Sequence, residues 1–153
     1  MSIPPTYQRL TAEALEQHEQ IHFYLDQIIV SLSQLTDDLD DAEPMRRLAA
    51  QLQGFRERLQ EHHEAEEQGG LFLATLEVLP ESRQELRRLR RQHQRMIEIL
   101  EMARIHAQFG EPSEAPGLRE DLQHFLELMR EHERAEEALL KKAVEREKQL
   151  PGI

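Results

Sequence analysis

Residues 55–67 read FRERLQEHHEAEE, and residues 125–137 read FLELMREHERAEE. Phe55 and Phe125, Glu61-His62 and Glu131-His132, and Ala65-Glu66-Glu67 and Ala135-Glu136-Glu137 coincide at one offset, while the residues between them differ. Apolar residues approach each stretch in steps of three and four: Leu48, Leu52, Phe55 and Leu59 in the first, Leu118, Leu122, Phe125 and Met129 in the second. That period marks the inward stripe of a bundle helix. Continued by the same steps, the stripes pass through His62 and Glu66 and through His132 and Glu136. A histidine and a glutamate therefore occupy core positions twice.

The remainder of the chain has the same period. Glycine and proline fall at a few places, and the stretches between them are rich in Leu, Glu, Gln, Arg and Ala, which favour helix. Four helices are predicted, over about 11–36, 44–77, 81–108 and 118–148, separated by TDDLDDAEP, VLPES and FGEPSEAPG. Four long helices with short connections make an all-α, up-down-up-down antiparallel bundle, a single domain over residues 1–153. In the first helix the seam 15, 18, 22, 25, 29, 32 places His18 and His22 inside with Leu15, Leu25, Ile29 and Leu32. In the third, the seam 86, 89, 93, 96, 100 places His93 inside. The second seam continues through positions 69, 73 and 76.

Composition bounds the function. Lys and Arg number 19 against 30 Asp and Glu, a net charge of -11. Binding to nucleic acid or an anionic membrane needs a basic surface, so neither partner is expected. No cysteine is present, which excludes disulfides, thiolate metal sites and cysteine nucleophiles. The N-terminal MSIPPTYQRL shows no secretory signal, and no run approaches the roughly 18 apolar residues of a membrane span. A cytoplasmic protein is the expectation.

A carboxylate buried without a partner costs several kcal/mol and tends to protonate. Two at matched depth, among imidazoles, are best satisfied by bound cations. His and Glu at i and i+4 share a helix face and can reach one metal centre, and imidazole with carboxylate suits iron, manganese or zinc. The candidate ligands are His18, His62, Glu66, His93, His132 and Glu136, with His22 as an extra ligand or a supporting residue. Only His62 continues the seam, so His63 is expected to flank it, and His63, His106 and His124 read as surface residues. Glu67 and Glu137 read as a solvated face, as does the basic run RQELRRLRRQHQR, paired with acidic neighbours. Gly69 and Gly70 interrupt a helix either as a gap leading to the metals or as a kink or close approach.

The ordered set His18, HHEAE over 62–66, His93 and HERAE over 132–136 resembles the hemerythrin-like, or HHE cation-binding, family across essentially the whole chain. The resemblance implies a four-helix bundle holding two iron ions in a non-haem, oxo- or hydroxo-bridged centre. His18, His62, His93 and His132 would be terminal ligands, and Glu66 and Glu136 would bridge. Oxygen-carrying members have a second histidine four residues after that of the third helix, where this chain has Ile97, and an Asp five residues after the last histidine, where it has Glu136 at four. The pattern is similar to the carboxylate-weighted branch, which implies redox chemistry with oxygen or peroxide, of the catalase, peroxidase or ferroxidase kind. The alternative is a protein that binds or senses oxygen, nitric oxide or iron without turnover. The expected partner is a small diatomic or peroxide ligand, and the expected state is a monomer or weak homo-oligomer.

Overall fold

In this computed structural model, which describes residues 6–36 and 41–150, the chain forms helices α1 (Thr6–Ser33), α2 (Glu43–Gln68), α3 (Leu71–Val78), α4 (Arg83–Phe109) and α5 (Ala115–Gln149). Short 3-10 turns at Pro80–Ser82 and Pro112–Glu114 lead into α4 and α5. Positions 37–40 of the predicted acidic loop, the N-terminal residues 1–5 and the C-terminal 151–153 lie outside the described residues. Among the described residues there is no strand, and no helix is long and apolar enough to cross a membrane.

Local chemistry sets the boundaries. Pro44 lies in the first turn of α2, where its missing N–H has no intrahelical partner to lose, and the Glu43 amide donates to Asp41 Oδ1 at 2.9 Å. The predicted second helix does not run unbroken to 77. It stops at Gln68 because Gly70 takes φ 105°, a conformation that only glycine adopts without strain. A Cβ on Gly69 would run into the carbonyl of Ala65. The break also resets the phase: Leu71, Phe72 and Thr75 turn inward, while Leu73 points outward, so the expected continuation through 69, 73 and 76 is corrected.

The legs are α1, α2 with α3, α4 and α5. α2 packs against α1 and α4, α4 against α5, and α1 meets α5 more lightly. The α4 and α5 seams are buried residue for residue as predicted, as is the α2 seam through Glu66. The α1 seam is corrected. Ile21, Leu25, Ile28, Leu32 and Leu35 are its buried row, whereas Leu15 is 45% exposed and Ile29 37%. His22, one residue from Ile21, is consequently exposed.

Two apolar clusters fill the bundle. One joins Ile21–Leu35 of α1 and the segment after it to Met45–Leu59, Met96–Ala107 and Ala115–Met129, with Phe55 and Phe125 edge-to-face at 5.9 Å. Such a ring pair contributes about 1 kcal/mol beyond its buried area. The other joins Tyr7 and Ala14 to Leu71, Phe72, Leu79, Leu86, Leu89, Leu139, Leu140 and Ala143. Each seam passes from one cluster to the other through a histidine: Ala14 to Ile21 through His18, Leu59 to Leu71 through His62 and Glu66, Leu89 to Met96 through His93, and Met129 to Leu139 through His132 and Glu136. The polar residues form a layer across the bundle between two dry halves.

Candidate metal centre

Within that layer the i,i+4 spacing of α2 sets His62 Nε2 3.1 Å from Glu66 Oε1, and that of α5 sets His132 Nε2 3.0 Å from Glu136 Oε2. The other legs complete the ring. His93 Nε2 of α4 comes within 3.4 Å of Glu66 Oε1, and His18 Nε2 of α1 within 3.1 Å of Glu136 Oε1. Each carboxylate thus stands between imidazoles from two different legs. Their donor atoms fall into two groups that could each hold a metal ion: His18, His62, Glu66 and Glu136, and His93, His132 and Glu136, with the atoms of each group within 4.8 Å of one another. Glu136 belongs to both.

These short contacts are not hydrogen bonds. All four carboxylate oxygens, with His93 Nε2, are buried without a hydrogen-bond partner among the described residues. Glu66 is 2% exposed and Glu136 fully buried. A buried polar group left unpaired costs about 1–3 kcal/mol, and more if charged, so this many together fits a cation bound among them.

The outer ring nitrogens explain the orientation. His62 Nδ1 donates to Gln17 Oε1 at 2.6 Å, His93 Nδ1 to Glu67 Oε2 at 2.9 Å, and His132 Nδ1 to Gln92 Oε1 at 2.7 Å. An acceptor on Nδ1 places the proton there and leaves the Nε2 lone pair aimed at the centre, which is how outer partners fix a metal-binding imidazole. Glu67 is therefore not on a purely solvated face as predicted: it also takes Arg90 at 2.9 Å. Gln17 and Gln92 escape sequence reading because a glutamine one residue from a seam histidine carries no distinguishing signal. Glu137 is exposed as expected.

Electrostatics follow from burial. The His62 imidazole is lowered to about 4 by burial and then by the neighbouring His18. His93 is lowered to about 4 by burial and by His132, against the pull of Glu67. His18 is also pulled down by burial, but its contact with Glu136 outweighs that and raises it. Burial and the adjacent Glu136 hold Glu66 well above the usual carboxylate range. Glu136 is raised by its own burial, yet Glu66, His132 and His18 together hold it well below that range. Two carboxylates sharing a dry site cannot both ionise cheaply, and the proton rests on Glu66.

Two histidines depart from expectation. His22 is 48% exposed and contacts Glu133 Oε2 at 2.9 Å, outside both groups. His63 is no surface residue. It is 4% exposed and stacks on His93 at 3.7 Å and 9°, with Phe72 near-parallel to His93 at 5.6 Å. Its Nδ1 has no hydrogen-bond partner among the described residues, and burial, then His93, drives its pKa far down. With His18, His62 and His132 it lines a cavity of about 10 Å³ floored by Leu59, Met96 and Met129. His124 is exposed and His106 pairs with Glu114 at 3.2 Å. The basic run is solvated as expected, with Arg88 on Glu131 at 3.2 Å.

The family model described as "Hemerythrin HHE cation binding domain" matches residues 9–144. Comparison with curated proteins and with solved structures finds no match.

Proposed function

Because the chain belongs to the hemerythrin HHE cation-binding domain family, we propose that it holds two iron ions and carries out redox chemistry with oxygen or peroxide. His18, His62, His93, His132, Glu66 and Glu136 would hold the ions. The observation that carries this reading is the pair of buried glutamates, their four oxygens without donors and ringed by four Nε2 atoms at 3.0–3.4 Å. Bound iron would supply the electrons that oxygen or peroxide takes up, passing from its ferrous to its ferric state.

The protein's own residues do the rest. Gln17, Glu67 and Gln92 fix three imidazoles by their Nδ1 protons, so that little reorganisation accompanies a change of charge at the centre. The apolar clusters on either side keep bulk water out, which strengthens every electrostatic contact within. Glu66 and His18, the two groups of the layer whose pKa values are raised, would give up the protons they carry on binding a cation. The cavity beside His63 has room for about one water molecule, and the flexible Met96 and Met129 in its lining can give way slightly. That fits a diatomic molecule or peroxide and excludes larger substrates. Ile97 packs against the apolar core where a further imidazole would sit, which leaves the centre more carboxylate-weighted and favours consumption of the oxidant over its unchanged return.

Anaerobic loading with two equivalents of ferrous iron, followed by admission and removal of oxygen, tests this. An irreversible change in the visible spectrum with iron oxidation, accelerated by peroxide, is expected. A band that appears with oxygen and disappears on degassing would favour the carrier or sensor instead.

A further inference from the structure

A surface groove has a residue of the buried layer in its lining. Leu10, Glu13, Ala14 and Gln17 lie at i, i+3, i+4 and i+7 on one face of α1, and with Ala65, Glu66, Gly69 and Leu71 they line a groove of about 120 Å³. Its walls are small where closure would need bulk: Ala14, Ala65 and Gly69. Glu66, although 2% exposed, contributes to this lining, and both its oxygens lack a hydrogen-bond partner. Glu13 is also on the groove, with its side chain 57% exposed and only a long 3.9 Å contact to the still more exposed Arg9. An exposed pair of that kind contributes almost nothing, so the Glu13 carboxylate is available. Gln17 stands between them. Its Oε1 accepts from His62 Nδ1 and retains a second lone pair.

We propose that this groove is the route by which a divalent cation enters and leaves the buried layer, with Glu13 as the first ligand, Gln17 Oε1 as the relay and Glu66 as the receiving carboxylate. This rests on the metal-centre reading above. A hydrated ion cannot cross an apolar wall, because it sheds water only as other oxygens replace it. Here oxygen donors run from an exposed carboxylate to an amide oxygen to a buried carboxylate. The net charge of -11 concentrates cations at the surface, and Glu13 selects where they descend. The cavity beside His63 is lined by neither Glu66 nor Glu136, and its one carboxylate, Glu133, is engaged by His22 at 2.9 Å, so it offers no comparable run of free oxygens and suits a neutral ligand better than an ion. Cation and oxidant thus reach the layer from different sides.

Stopped-flow uptake of cobalt(II) by the metal-free protein, followed by its visible absorption, tests the route. Glu13→Gln and Glu13→Lys should slow uptake, the latter by roughly tenfold at low salt, with final occupancy unchanged. Extraction by a chelator should slow in parallel, because entry and exit share the path. Ala65→Leu fills the groove from an exposed helical position and should slow both steps without altering charge. Glu127→Lys, on α5 outside the groove, makes the same change in net charge as Glu13→Lys and should leave the rate within about twofold of the parent. Parental rates in both Glu13 variants and in Ala65→Leu would overturn the route, as would equal slowing by Glu127→Lys. If the unaltered protein fails to take up cobalt at all, the metal-centre reading falls, and the route with it.

Discussion

At the scale of single residues, the informative positions are those where a buried polar atom has no partner inside the protein. Glu66 and Glu136 are matched in sequence and spacing, yet the fold treats them differently. The Glu66 carboxyl is held well above the usual carboxylate range, whereas Glu136 is held well below it beside His18, whose imidazole is raised. Replacing a carboxylic acid by an amide changes little when the acid is already neutral. Glu66→Gln should therefore leave the metal-free protein within about 1 kcal/mol of the parent, while Glu136→Gln should cost about 3 kcal/mol by stranding His18. Urea unfolding in the presence of chelator measures both, and metal analysis should find reduced occupancy in each. Equal losses in the metal-free state would mean that the proton is shared rather than held by Glu66. His63 offers a second contrast, because its ring face is in contact and its Nδ1 is not. His63→Phe keeps the stack on His93 and removes the orphaned nitrogen, so its metal-free stability should equal or exceed the parent's by up to about 1 kcal/mol. His63→Ala opens a cavity beside His93 and should cost about 2–3 kcal/mol in the same titration. A loss in the Phe variant as large as in the Ala variant would assign the role to the ring nitrogens.

At the scale of elements, legibility depended on contrast between helix faces. Along α5 the stripe from Leu118 to Ala143 is flanked by Arg, Glu, Asp and Gln, and every residue that period alone placed on it is buried, with Leu140 joining beside it. Along α1 there is little contrast: Phe23, Ile29 and Val30 are apolar and outward, so a row through Leu15, His22 and Ile29 matched the period as well as the true row one residue earlier. Packing against α2 decided between them, and no local propensity records that. The same one-residue ambiguity hid His63, which lies beside the α2 seam but toward α4. The glycines show how far a residue type is readable without its backbone angles. Gly54 lies inside α2 with open space where a Cβ would project, whereas Gly70 has φ 105° at the turn into α3. Gly54→Ala should stabilise by about 0.5–1 kcal/mol through helix propensity, and Gly70→Ala should destabilise by about 1–2 kcal/mol through strain. Thermal melts of the two variants would check this pairing. A gain at Gly70 would mean that the α2–α3 turn adopts another conformation in solution.

At the scale of the whole molecule, a polar layer divides the core, so metal, protons and stability are linked. In the metal-free protein His62, His63 and His93 are held neutral below the ordinary imidazole value of about 6.5. Between about pH 6.5 and 4 the unfolded chain binds protons at these three sites and the folded chain does not. Stability must therefore fall as pH falls through that window, at about 1.4 kcal/mol per pH unit for each net proton. Glu66 works in the opposite direction. Its folded form retains a proton that the unfolded form loses above about pH 4.5, so its contribution is full below that value and fades as pH rises. One such group offsets one of the three histidines and leaves the direction unchanged. Metal loading follows a different set of protons. His62 and His93 already present bare Nε2 atoms at neutral pH, while Glu66 and His18, whose pKa values are raised, hold protons that a cation displaces. Calorimetric titration of the metal-free protein with a divalent cation, in buffers of different ionisation heats, should report release of about one to two protons at pH 7. Affinity should weaken on acidification before His62 or His93 titrate. Proton release near zero at pH 7 would mean that Glu66 and His18 already stand as carboxylate and neutral imidazole, and that the layer tolerates its charge without a cation.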